Sequence, residues 1–364
     1  MDVASRVGLE YRHRILPTSY RNRRAAVIEN DALRVTILEE GGHIAEIRDR
    51  ATGVNPLWTP DWPSIEPSQY DASRHALYGG GADATLLAGI MGHNLCLDIF
   101  GGPSAEEAAA GLPVQGEASV ARFEIDVSRA GGELSMHTVL PSAQLRVGRH
   151  VLLDGRTVRI RETVENLASA DRPIGWTEHV TLGPPFLQKG ATEFRVSADR
   201  SLVFDGRFGP SDYLVAGAEF GWPDAPRASG GVADLRRYTD APASSAYTAH
   251  RMDLRRDEAF FIAFSPAARL AFAYVWRRAD FPWLGIWEEN LSRTSPPWNG
   301  RSLTCGMEFG VSPIPESRRQ MIERGRLFDV PTFRWIPARQ RVQVEYRAVL
   351  RPAGAIPNSI DDLD

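Results

Sequence analysis

Apolar residues recur every second position along much of this chain, the period of a strand with one face buried. Leu33, Val35 and Ile37 alternate with Arg34 and Thr36. Phe123, Ile125 and Val127 repeat the pattern, and Leu134, Met136 and Thr138 follow a Gly131-Gly132 turn. The segment from His150 to Asn166 reads as a hairpin turning at Asp154-Gly155, a dipeptide favoured where both central residues need positive φ. Further strands are expected over Phe260 to Phe264, Leu270 to Trp276 and Val342 to Val349. Helical signals are few. Ala105 to Ala110 follows Ser104 with two glutamates in its first turn, and Pro315 to Arg326 has a proline suited to a helix start and Gly325 suited to its end. Two long Pro- and Gly-bearing stretches, Asn55 to Tyr70 and Asp205 to Ala228, read as loops of the functional kind. With no fixed-period repeat and no low-complexity linker, residues 1–364 are expected to form one large antiparallel β domain.

Composition narrows the function classes. The 364 residues are 43% hydrophobic and 24% charged, a globular balance. A net charge of −4, with arginines spread along the chain, argues against a nucleic-acid partner, which needs a basic patch. The first fourteen residues, MDVASRVGLEYRHR, carry charges throughout and no apolar core of signal-peptide length. No run approaches the roughly 20 apolar residues of a membrane span. A cytoplasmic protein with no membrane partner is the expectation. Cys96 and Cys305 lie far apart, outside any zinc-like spacing, and read as two buried thiols. No GxGxxG follows a strand, and GxxxxGK[ST], HExxH and GxSxG are all missing, so dehydrogenase, kinase, zinc-protease and α/β-hydrolase readings lose their support.

Four phrases carry the candidate chemistry. The first runs from Gly41-Gly42-His43 to Gly53-Val54-Asn55-Pro56-Leu57-Trp58, a strand, a glycine turn, a second strand and an apolar anchor. His43, at the turn exit, reads as structural. The second is Gly111-Leu112-Pro113-Val114-Gln115-Gly116-Glu117, preceded by Gly92-His93-Asn94-Leu95-Cys96-Leu97-Asp98. The third is Asn166 followed by Gly175-Trp176-Thr177-Glu178-His179. The fourth is Thr304-Cys305-Gly306-Met307-Glu308, after a segment bearing Trp283, Trp287, Glu288, Glu289 and Trp298. Tryptophan faces can stack on the apolar faces of sugars. Nothing in the spacing of Glu288 and Glu289 establishes a metal site.

In order and content these phrases resemble those of the galactose mutarotase-like superfamily, the aldose 1-epimerases and their relatives. The resemblance implies a β-supersandwich of large antiparallel sheets with a sugar cleft on one concave face, and a role in carbohydrate metabolism. It implies that His179 gives a proton to the ring oxygen and that Glu308 takes one from the anomeric hydroxyl. Imidazole is suited to proton transfer near neutral pH. Glu308, lying in sequence among Leu303, Met307 and Phe309, is expected to be partly desolvated and so a stronger base. The candidate sugar contacts are Gln115, His93, Asp98, Glu117, Trp287 and Glu288. The chain departs from the family at Gln115, where relatives carry a histidine that faces the sugar. An amide donates a hydrogen bond but carries no proton. His93 is the possible substitute. Two residues rather than one separate Cys305 from Glu308, a smaller departure. The implied activity is an isomerase interconverting sugar anomers with no nucleotide, redox or metal cofactor. The alternative is a carbohydrate-binding or sensing protein without turnover. A hydrolase would need a second carboxylate across the bond, and the sequence offers no evident partner for Glu308. A phosphate-binding cluster is likewise not evident, Arg293 and Arg301 being scattered candidates.

Overall fold

The computed structural model describes residues 16–127 and 132–363. The charged N-terminal fourteen residues and Gly131 of the expected turn lie outside them. Two large sheets dominate. The larger has twelve strands, beginning Leu16–Tyr20, Arg23–Glu29, Leu33–Leu38, Ile44–Asp49, His93–Asp98 and Arg172–Leu182. It continues through Leu303–Gly310, Trp283–Asn290, Ser244–Met252, Ala198–Val203 and Glu219–Phe220, while Arg334–Ile336 pairs to one side of Arg172–Leu182. The smaller sheet runs Glu193–Val196, Glu258–Ser265, Leu270–Arg277, Arg341–Pro352, Thr157–Asn166, Leu145–Asp154, Glu133–Leu140 and Glu124–Val127. Neighbouring strands pair antiparallel, so short hairpins can join most of them.

The sheets face each other across the main core. Ile37, Trp176, Val180, Met307 and Phe309 come from the larger sheet, and Met136, Val151, Ile160, Phe272 and Tyr346 from the smaller. At its Glu133–Leu140 end the smaller sheet keeps its far side in water, so that strand alternates strictly between exposed and buried residues, whereas Glu258–Ser265 and Leu270–Arg277 are covered on both faces, the far one by Val349, Ile356, Ile360 and Leu363. The centre of the larger sheet is buried on both sides: all eight residues of Trp283–Asn290 are inaccessible. Its second face is covered by the Asn55–Tyr70 stretch and the segments after it. Trp58, Trp62, Leu86, Leu87, Phe100, Trp287 and Trp298 form a separate apolar layer there.

Several expectations need adjusting. The Asp154-Gly155 hairpin forms with Asp154 opposite Thr157, but of its two loop residues only Gly155 takes positive φ. The Pro315 to Arg326 helix is the shorter Arg318–Arg324. Its cap is Ser317, whose side chain and that of Gln320 close a capping box, so Pro315 precedes the helix rather than starting it. Gly325 ends it at φ 64°, as expected. Ser104 and Glu107 make the same kind of box for Ala105–Ala109. A third helix, Ala84–Gly89, was not expected, since Asp83 makes no side-chain cap to mark it. The Asp205 to Ala228 stretch contains the short strands Glu219–Phe220 and Asp224–Pro226. Cys96 and Cys305 are both free and buried. No helix among the described residues is long and apolar enough to cross a membrane.

Candidate active site

Strand register brings the two predicted catalytic residues together. His179 on Arg172–Leu182 lies opposite Glu308 on one neighbouring strand and Asn94 on the other. Glu308 in turn lies opposite Gly285. Side chains directly opposite each other in a sheet share a face, so Asn94, His179 and Glu308 form one row on the face away from the smaller sheet. The next row carries Thr181, Gly306, Trp287 and Tyr247. His179 Nε2 is 3.0 Å from Glu308 Oε1, and its Nδ1 is 3.1 Å from the Thr181 hydroxyl. Both residues are buried. Met307 and Phe309, its sequence neighbours, point into the core between the sheets and are not what desolvates Glu308. Its surroundings are the histidine and the tryptophan layer.

One glycine makes room for Glu308 and another for Tyr247 in the neighbouring row. A Cβ on Gly306 would come within 2.3 Å of Glu308 Oε1, and one on Gly285 within 2.1 Å of the Tyr247 hydroxyl. Above them lies a cavity of about 160 Å³, floored by His179 and Glu308. Trp287, Trp298, Arg293 and Phe208 form one wall, and Leu86 and Leu87 of the short helix form another. Trp298 is braced by stacking on Trp58, with centroids 5.8 Å apart, and meets Trp287 edge-on at 5.9 Å. The Arg293 guanidinium sits 5.0 Å from the Trp298 ring and 5.3 Å from the Trp287 ring. Glu289 fixes that arginine: it accepts from the Arg293 amide at 3.0 Å and approaches Nε at 3.4 Å. Burial pulls the Arg293 guanidinium below its ordinary pKa, with Glu289 opposing the shift. Trp287 Nε1 and Asn94 Oδ1 are shielded from solvent and have no hydrogen-bond partner among the described residues. A buried donor or acceptor left unmade costs about 1–3 kcal/mol, which a ligand group can relieve.

The predicted sugar contacts divide. Gln115 lines the cavity, held at φ 63° with its Oε1 accepting from Asn94 Nδ2 at 2.8 Å. Trp287 lines it as well. The other four do not. His93 lies opposite Val180 and points into the core, between the Tyr274 hydroxyl at 2.9 Å and Glu178 at 2.8 Å. Burial drives its pKa well down, so it is a neutral structural histidine rather than a substitute at Gln115. Asp98 is clamped by Arg172 at 2.5 Å and Arg318 at 2.6 Å. Glu117 accepts from the backbone of Ala143 at 2.7 Å and Ser142 at 3.2 Å, and faces a neighbouring cavity. Glu288, one residue from Trp287, takes the opposite face of its strand by alternation and bonds Ser244 and Tyr213. His43 is structural as expected: its Nε2 lies 2.9 Å from the Ser119 carbonyl, and burial lowers its pKa to about 3. Trp283 turns away from the cavity and donates to the Pro331 carbonyl at 2.8 Å. Of the remaining lining residues, Trp298 was expected only as a possible stacking ring and Arg293 only as a scattered phosphate candidate, and Asp83, outside the four phrases, carried no signal.

No protein-family model and no curated protein matches the chain in sequence. Solved structures do match. A candidate aldose 1-epimerase from Klebsiella pneumoniae superposes with a TM-score of 0.64 over 94% of this chain and 83% of its own, at 13% identity. A galactose mutarotase-like protein from Clostridium acetobutylicum gives 0.62 over 93% and 99%, also at 13% identity. The chain has the galactose mutarotase-like fold. A candidate aldose 1-epimerase from Escherichia coli K12 agrees, at 0.59 over 93% and 99% with 12% identity. At these identities the likeness concerns the mutarotase-like fold, on which the chemistry must be argued from the residues themselves.

Proposed function

We propose that the protein binds an aldose in the His179–Glu308 cavity and interconverts its anomers by acid–base ring opening. The observation that carries this reading is the 3.0 Å contact between His179 Nε2 and Glu308 Oε1 on the floor of an aromatic cavity. The hydroxyl and ring oxygens of a pyranose are attached to the same anomeric carbon, so two adjacent groups can serve both. Glu308 removes the hydroxyl proton as the C1–O5 bond breaks, and imidazolium His179 delivers its Nε2 proton to O5. In that charge state Nδ1–H donates to the Thr181 hydroxyl, which fixes the ring. Rotation about C1–C2 and the reverse proton transfers give the other anomer and restore both groups. At about 160 Å³ the cavity is below the ~300 Å³ of most ligand pockets and suits one sugar ring rather than a glycan chain.

The second reading, a sugar binder without turnover, is favoured by Gln115. Its amide lines the cavity at the position where the family resemblance implies a histidine, and it can orient a hydroxyl but not move a proton. Exchange NMR on a panel of aldoses separates the two, with His179→Ala and Glu308→Gln as controls. Faster anomer exchange that both variants lose is expected. Binding without acceleration supports the second reading, and an aldose rate or affinity that neither variant alters refutes the site.

A further inference from the structure

A cavity of about 860 Å³, far larger than the His179 cavity, shares no lining residue with it. It forms along the outer edge of the smaller sheet. Glu193–Val196 is that edge strand; Phe194 and Val196 turn into the core, so Glu193 and Arg195 point the other way. The chain later returns along the same edge. The Phe194 amide donates to the Arg236 carbonyl at 2.7 Å and the Tyr238 amide to the Thr192 carbonyl at 2.9 Å, which brings Arg236 and Arg237 alongside. Arg227 enters from a third direction, following the Asp224–Pro226 strand.

The four cations are not equally committed. Arg236 is held by both oxygens of Asp234, with contacts of 2.9 and 2.8 Å, and Arg237 reaches Glu193 at 3.5 Å. Arg227 donates its Nε to the Val232 carbonyl at 3.2 Å and lies 5.5 Å from the Tyr213 ring centre; it forms no salt bridge among the described residues, although the buried Glu288 carboxylate feels its charge. The Arg195 side chain has no hydrogen bond or ion pair among the described residues, and its Nε is shielded from solvent. Asp240, on the same cavity wall, leaves the lining with four guanidinium groups against three carboxylates. An uncompensated guanidinium fork with a shielded donor calls for an acceptor from outside the chain. Forks on two separate segments lining one cavity suit the tetrahedral oxygens of a phosphate better than a planar carboxylate, which one fork satisfies. Tyr213 and Trp222 add aromatic wall against which a carrier ring can lie.

We propose that this cavity is a second ligand site, separate from the catalytic one, which binds a phosphate group through Arg195 and Arg227. The phosphate is either inorganic or borne by a small sugar phosphate. The proposal is independent of the epimerase reading. Titration calorimetry on the full chain at low ionic strength tests it, with inorganic phosphate and glucose 6-phosphate as probes. Saturable binding is expected, weakened about tenfold or more by Arg195→Gln and by Arg227→Gln, and unchanged by Glu308→Gln. Arg195→Gln removes no hydrogen bond of the described fold, and near-ultraviolet circular dichroism checks that each variant is folded. Tighter binding of glucose 6-phosphate identifies the sugar phosphate as the ligand class, and equal or tighter binding of inorganic phosphate identifies the free anion. Failure of both probes to saturate the wild type overturns the proposal. So does binding that neither arginine variant weakens, or binding abolished by Glu308→Gln alone, which would move the anion to the catalytic cavity.

Discussion

Glu162 gives the sharpest prediction about the core. It lies on the smaller sheet and faces the larger one, fully buried. Arg149 Nε contacts it at 2.5 Å, the Tyr346 hydroxyl donates to it at 2.8 Å, and Trp176 Nε1 lies 3.3 Å away. Arg149 also reaches Glu178 at 3.2 Å, so one cation serves two carboxylates. The remaining titratable groups in the cluster are His93, Tyr274 and Tyr346, and burial keeps each of them neutral near pH 7. Burial pushes the Glu162 carboxyl up to about 7; Arg149 opposes the shift and Glu178 adds to it. Because the folded value is raised, the native state holds a proton that the unfolded chain gives up near 4.5. The stabilisation is present in full below the unfolded value and is lost as pH rises to 7. At ~1.4 kcal/mol per pH step, the loss is on the order of 3 kcal/mol. Glu162→Gln mimics the protonated form and removes this term. Urea unfolding of both proteins from pH 5 to 8 should show a near-constant variant and a wild type that falls behind it as pH rises. Near pH 5 the difference should lie within about 1 kcal/mol of the isosteric offset and widen to on the order of 3 kcal/mol by pH 8. Taking the difference cancels the buried histidines, which titrate in both proteins. A gap that stays constant across pH would refute the raised Glu162 value.

Two further substitutions probe the smaller and the larger sheet in turn. Arg149→Met leaves Glu162 and Glu178 without their cation and the Gly42 carbonyl without its donor, and should cost about 3–5 kcal/mol at pH 7 by urea denaturation; a loss under about 1 kcal/mol would show that the cluster is not held by charge. Gly306→Ala places a methyl 2.3 Å from Glu308 Oε1, at the movable end of that side chain, and 3.1 Å from Trp287 Cβ. The chain should stay folded at a cost of about 1–3 kcal/mol, while anomer exchange falls by about a hundredfold or more as the carboxylate leaves His179. Unchanged exchange in a folded variant would exclude that contact from the mechanism.

The residues best read from sequence were those whose local pattern matches their final surroundings. Strands with one side in water, such as Glu133–Leu140, show their period directly, and a capped turn such as Ser104 to Ala109 shows its cap. The proposed catalytic pair was legible because a resemblance carried it, since neither His179 nor Glu308 stands out by period. His93 and Glu288 were misplaced for one reason. They belong to central strands buried on both sides, where polar and apolar residues alternate between two covered faces and neither face is solvent. Adjacent positions then differ by which side they occupy, and a shift of one residue exchanges the sides.

By itself the sequence determined a mostly β chain and the approximate extents of its strands, which follow from spacing within single segments; His179 and Glu308 were singled out only by the family resemblance. The tertiary structure decided the rest: that Gly306 leaves room for Glu308 on the floor, that Trp298 and Arg293 close one wall, and that Asp98 and His93 face other partners. It also gathered Arg195, Arg227, Arg236 and Arg237 around one cavity, although in sequence they read as dispersed charge. The physical reason is register. Which residues of distant strands stand opposite each other is fixed by packing across two sheets, and no window of the chain shorter than the whole fold contains that information.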